Sequence, residues 1–160
     1  MAFLELDEVI QQQTGLALQE IFELHGEAYY RAAERDALER VLAHRSPAVV
    51  AVSGGIVGDS GSFRLLRDHT RMVWLRATPE EHMGRVVNQG DRRPVENRPD
   101  AMKELRQLLA QREPFYEQAE LVVDTHHNST EECMEALVAG LSVQGGNEGI
   151  GHSGGEMGRP

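Results

Sequence analysis

"PAVVAVSGGIV", residues 47–57, decides how this chain is read. The apolar run between Pro47 and Gly54 is short and continuous rather than alternating. Such a run, bounded by turn residues, suits a strand buried on both faces, as in a parallel sheet covered by helices. Two adjacent glycines directly after a strand mean that something comes close to the backbone there. The same kind of run recurs at "AFLEL" (2–6), "RMVWLRA" (71–77) and "AELVVDT" (119–125).

Helical patterns lie between these runs. "EAYYRAAERDALERVLAH" (27–44) repeats apolar residues at three- and four-residue spacing. "TPEEHMGRVVNQ" (78–89) begins with a capping threonine, a proline at the first helical position and Glu81 three residues after the cap. "RPDAMKELRQLLAQREPFYEQ" (98–118) opens around Pro99 and Asp100, and "STEECMEALVAGL" (129–141) opens on Ser129 or Thr130. Strands alternating with helices predict an α/β fold: a parallel sheet flanked by helices. From Gln144 to Pro160 the chain holds seven of its sixteen glycines and one aliphatic residue. Such a segment cannot bury enough apolar surface to offset its ordering entropy. The expected organisation is one domain over 1–143 and a disordered glycine-rich tail over 144–160.

Composition excludes several classes. The chain has 160 residues and a net charge of −10, which argues against direct binding of nucleic acid. Lys103 is the only lysine, so arginine supplies nearly all the positive charge, and arginine suits bidentate recognition of carboxylate or phosphate. One cysteine, Cys133, allows neither an internal disulfide nor a metal cluster. No run approaches membrane-spanning length and no signal peptide opens the chain, so a cytoplasmic protein without membrane partners is expected.

Several residues are placed as if around one ligand. Asp7 follows the first strand, Gly54 and Gly55 follow the second, and Arg31 lies in the long helix. Ligands of open parallel sheets bind beyond the carboxyl ends of strands, so these residues should share one edge. An arginine for a carboxylate and an aspartate for hydroxyls would suit a polyhydroxy acid. Alternatively, Asp7 caps the helix "DEVIQQQ", Arg31 pairs with Glu27 or Glu34, and the glycines only make a turn.

At these residues the sequence resembles the shikimate kinase family. "FLELDEVIQQQTGLALQEIFELHGEAYYRAAE", "VSGGIV", "GDRRP" and "QREPFYEQAELVVDT" follow that family's order across residues 2–141. The resemblance implies a P-loop-kinase-like fold and roles for particular residues. Asp7 would meet the substrate hydroxyls and act in catalysis. Glu5 would belong to the magnesium shell. Arg31 and Arg112 would bind the substrate carboxylate, Arg93 would be the catalytic lid arginine, and Ser53, Gly54 and Gly55 the substrate loop. Ser53 and Glu5 depart from the family, which has glycine and aspartate there.

No Gly-Lys-Ser/Thr run occurs in the sequence. Read this way, the family's first, central strand and phosphate loop are missing, and ATP and magnesium would bind only if that loop were present. Either the strands at 48–53 and 71–76 then pair directly, or another chain fills the space between them. A narrower resemblance, through "VSGGIV", "VWLRATPEEHMGRVVNQGDRRP" and "AMKELRQLLAQREPFYEQAE", is to the C-terminal domains of BoxR-type regulators of the XRE family. It implies an effector-sensing domain without kinase activity, responding to benzoyl-CoA and touching DNA only through an absent helix-turn-helix domain. Arg92, Arg93 and Arg98 would hold the effector's phosphates, and Phe3, Tyr29, Tyr30 and Phe115 would line an acyl pocket. A homo-oligomer is expected in either case.

Overall fold

The computed structural model of the chain describes residues 1–44, 46–88 and 100–143. Within them the order is β1 (Ala2–Glu5), α1 (Leu6–Thr14), α2 (Leu18–Ala43), β2 (Ala48–Ala51), a 3-10 helix (Gly54–Gly58), α3 (Ser60–His69), β3 (Val73–Arg76), α4 (Pro79–Asn88), α5 (Ala101–Tyr116), β4 (Leu121–Asp124) and α6 (Thr130–Val143). The four expected strands are present. The expected helix from residue 27 is the second part of α2, because Gly26 interrupts α2 with φ 77°, a conformation that glycine alone adopts without strain. The capping reading at 78–81 also holds: the Glu81 N–H donates to Thr78 Oγ1 and the Thr78 N–H to Glu81 Oε2. The segment 144–160 lies outside the described residues.

The strands form two sheets of two. β1 pairs with β2 in parallel, from Ala2 opposite Ala48 to Glu5 opposite Ala51. β3 pairs with β4 in parallel, from Val73 opposite Leu121 to Arg76 opposite Asp124. Parallel pairing needs long crossovers, and α1–α2 and α4–α5 supply them. β2 and β3 are not hydrogen-bonded to each other, so the direct pairing of 48–53 with 71–76 does not occur.

The core is uneven. Leu6 and Ile10 of α1, Ile21, Tyr30, Ala37 and Leu38 of α2, Ile56 and Val57 of the 3-10 helix, and Phe63 and Leu66 of α3 form one buried cluster. The strands contribute little to it. Phe3 is 64% exposed and Leu75 61% exposed, although a sheet covered on both faces was expected. The reason is sheet width: a two-stranded sheet offers too little surface for helices to cover both faces.

The C-terminal end of α5 bridges the two sheets. Phe115 meets Phe63 of α3 edge-on, with ring centroids 5.2 Å apart. Tyr116 lies against Trp74 of β3 and donates its hydroxyl proton to the Gly54 carbonyl beyond β2, at 2.7 Å. This seam positions the candidate site.

Candidate active site

The site grows from the carboxyl ends of β1 and β2. β1 runs directly into α1, whose first turn carries Asp7. Asp7 does not cap that helix. The N-cap residue is Glu5, whose side chain makes no cap bond, and Asp7 Oδ1 instead accepts from the Tyr30 hydroxyl at 3.0 Å.

Tyr30, Arg31 and Glu34 lie within about one turn of each other on α2. The apolar stripe of this helix includes Tyr30, Ala37 and Leu38, and Glu34 lies on it, fully buried. A buried carboxylate needs donors, since an unpaired one costs several kcal/mol. Glu34 has three neighbours that can serve. Arg31 Nη1 donates to Oε2 at 2.7 Å, Ser53 Oγ to Oε1 at 2.9 Å, and the Tyr30 hydroxyl lies 3.2 Å from Oε1. Arg31 also reaches Glu27 Oε1 at 3.4 Å. The intrahelical pairing of Arg31 and its convergence on the strand ends are therefore both real.

The glycines answer the question that their position raises. Neither Gly54 nor Gly55 has a positive φ, so turn geometry is not what requires them. Close approach is. A Cβ on Gly55 would lie 2.6 Å from Arg31 Nη2, and one on Gly54 3.0 Å from Tyr116 Oη. The Tyr116 hydroxyl is flanked by Arg112, one turn earlier on α5. Burial pushes this phenol up, against the pull of the Arg112 charge.

A continuous set of contacts thus joins Asp7, Tyr30, Glu34, Ser53, Arg31, Gly55, Gly54, Tyr116 and Arg112. It brings together the expected residues Asp7, Arg31, Ser53, Gly54, Gly55 and Arg112. Sequence reading missed Glu34 and Tyr116 as members. Glu34 was detectable as a carboxylate on an apolar stripe three residues after an arginine. Tyr116 had no such signal.

Other expected residues stand apart. Arg92, Arg93 and Arg98 lie outside the described residues. Phe3 and Tyr29 are exposed, and Phe115 packs on Phe63 at the seam, so of the four aromatics expected in an acyl pocket only Tyr30 joins the network. Glu5 is exposed at the β1–α1 junction, two residues from Asp7. Among the described residues no group of three His, Cys, Asp or Glu could ligate a metal directly. Magnesium keeps most of its waters and needs only one or two carboxylates, a role open to Glu5 and Asp7. For a nucleotide the fit is poor. Phosphates are held by a glycine-rich loop and its lysine, and the only lysine, Lys103, is exposed on α5. No helix among the described residues is long and apolar enough to cross a membrane.

The family profile described as shikimate kinase matches residues 1–142. The shikimate kinase of Caldanaerobacter subterraneus subsp. tengcongensis is 32% identical over 136 residues, covering 85% of this chain and 78% of that protein. That of Moorella thermoacetica is 33% identical over 144 residues, covering 88% and 82%. Among solved structures, a shikimate kinase from Acinetobacter baumannii in complex with shikimate aligns with TM-score 0.76 and 26% identity, covering 92% of this chain and 81% of that one. The Aquifex aeolicus enzyme has the same fold, with TM-score 0.75 and 24% identity. These matches overturn the expectation of an effector-sensing regulator domain, because the relatives that share most of this sequence are named as kinases, and nothing supports benzoyl-CoA or DNA as partners. The chain belongs to the shikimate kinase family.

Proposed function

We propose that this chain binds shikimate and acts in its ATP-dependent phosphorylation, with residues 1–143 as the domain concerned and the cytoplasm as its setting. The observation that carries the reading is the contact path from Asp7 through Glu34 and Arg31 to Gly55 and Arg112. It joins the Asp7 carboxylate and two guanidiniums through contacts, a set that suits a polyhydroxy acid. The shikimate complex of the Acinetobacter baumannii relative supports the same choice of ligand.

The roles follow from charge and geometry. Arg31 and Arg112 approach from different helices and would hold the substrate carboxylate between them. A guanidinium fork matches a carboxylate's two oxygens, and such charge-assisted bonds are about twice as strong as neutral ones. Asp7 would accept from a ring hydroxyl, orient it and take its proton as the oxygen becomes a nucleophile. Gly54 and Gly55 leave the backbone bare beside Arg31. Glu5 would reach magnesium through water, and Arg93 would act as the lid arginine. ATP would supply the phosphoryl group, and since the described residues offer no phosphate loop, its phosphates would have to be held outside them.

Calorimetric titration with shikimate and with its methyl ester tests this. Shikimate should bind, and the ester, which lacks the charged carboxylate, should bind at least tenfold more weakly. Equal affinities, or none for shikimate, would refute the reading.

A further inference from the structure

Among the described residues Tyr30 is the one whose side chain reaches both carboxylates of the network, and counting protons points to the one it serves. The phenol carries one proton. Two oxygens lie within its reach, Asp7 Oδ1 at 3.0 Å and Glu34 Oε1 at 3.2 Å. Glu34 has other donors: Arg31 Nη1 to Oε2, and to Oε1 the Ser53 hydroxyl, which also hydrogen-bonds the Tyr30 hydroxyl. Asp7 accepts no other hydrogen bond from the described residues. The shorter contact and the unfilled acceptor agree, so the phenol proton belongs to Asp7. Tyr30 is 3% exposed, and burial pushes its phenol well above the ordinary range, so the proton stays in place at any working pH.

We propose that Tyr30 is a positioning residue for Asp7: its hydroxyl holds Oδ1, fixes the carboxylate rotamer, and leaves Oδ2 to accept from a ligand hydroxyl. The oxygen of the same phenol rests against Glu34, the partner of Arg31. One rigid ring therefore sets the distance between the hydroxyl-reading and the carboxylate-holding ends of the site. A phenol suits this task because it has few rotamers and its ring is held by Phe22, with centroids 4.6 Å apart. The role rests on the polyhydroxy-acid reading of the site, but the proton assignment does not.

Two measurements separate those dependencies. The first needs no ligand. In the free chain with labelled tyrosine, the Tyr30 hydroxyl proton should be slow to exchange, and its resonance should shift in Asp7→Ala. An unshifted resonance would place the proton on Glu34 and overturn the proposal even if shikimate binds. The second compares affinities for shikimate and for 1-cyclohexene-1-carboxylate, which has the carboxylate and no hydroxyls. Tyr30→Phe should weaken shikimate roughly tenfold and leave the deoxygenated acid unchanged. Equal weakening of both would mean a merely structural tyrosine. If the parent chain bound neither acid while the resonance still shifted, the shikimate reading would fail and the Tyr30–Asp7 pairing would stand.

Discussion

The Arg31 guanidinium fills the space that a side chain on Gly55 would need: a Cβ there would come within 2.6 Å of Nη2. The nearest atom is the end of a flexible side chain, so a substituted chain can fold, but only by moving Arg31. Arg31 cannot move freely, because Nη1 is bonded to the buried Glu34.

Gly55→Ala should therefore leave the helical circular dichroism nearly unchanged and weaken shikimate at least tenfold, the scale of one charge-assisted hydrogen bond. Calorimetry on the parent and the variant decides it. Unchanged affinity would separate the Gly55–Arg31 contact from ligand binding.

Arg112 stands beside the Tyr116 hydroxyl at the other end of the path. Arg31→Ala and Arg112→Ala should each reduce shikimate binding by about 1.5–3 kcal/mol. Arg64, exposed on α3, serves as the control and should show little change. Comparable small losses at all three positions would indicate solvated arginines rather than a carboxylate clamp.

The stretch "GDSGS" (58–62) carries the chain from the 3-10 helix into α3. Asp59 caps it, accepting from the Ser62 N–H at 2.8 Å and pairing with Arg35 of α2. The hydrogen bond from Arg35 is the main reason that the Asp59 carboxyl is lowered from 3.8 to about 2. A carboxyl lowered on folding stabilises the native state fully above its unfolded value, and that contribution disappears as pH falls from about 4 to about 2. Asp59→Ala should cost about 1 kcal/mol of stability near neutral pH through the lost cap. The gap between variant and parent, from urea unfolding at several pH values, should shrink steadily below pH 4. A pH-independent gap would mean that the ionised carboxylate is not what matters.

The strands and helices were legible in the sequence because short apolar runs and three- to four-residue periodicity report burial directly. The glycine pair was legible as a close approach, but not what approaches. Arg31 lies 24 residues from Gly55 and Tyr116 lies 62 from Gly54, and nothing local encodes such distant contacts with a glycine. Asp7 shows the same limit. Its sequence position allowed a cap or a ligand contact, and only the packing of Tyr30 against α1 takes its carboxylate away from the cap. The narrower regulator resemblance failed for another reason. Two of its three stretches carry Ser53, Gly54, Gly55, Arg112 and Tyr116, which the broader family resemblance uses as well, so they could not separate a regulator from an enzyme; the relatives do.

The seam between the sheets carries the last prediction. β2 and β3 each pair on one side only, so each presents backbone N–H and C=O groups that no other described strand takes. Exposed Phe3, Leu75 and Val122 lie on the strands next to these edges or on them. An open parallel edge with apolar neighbours recruits further strands. The chain should accordingly self-associate, with sedimentation coefficients that rise with concentration. Amide exchange should track that association. The N–H groups of β2 and β3 that do not bond to β1 or β4 should exchange rapidly in dilute solution and become protected as the chain concentrates. Tyr116→Ala removes the hydroxyl bond to Gly54 and the contact with Trp74, so it should loosen the seam and make unfolding less cooperative. A chain that stays monomeric at every concentration, with those same N–H groups already protected, would show that β2 and β3 have closed on each other in solution.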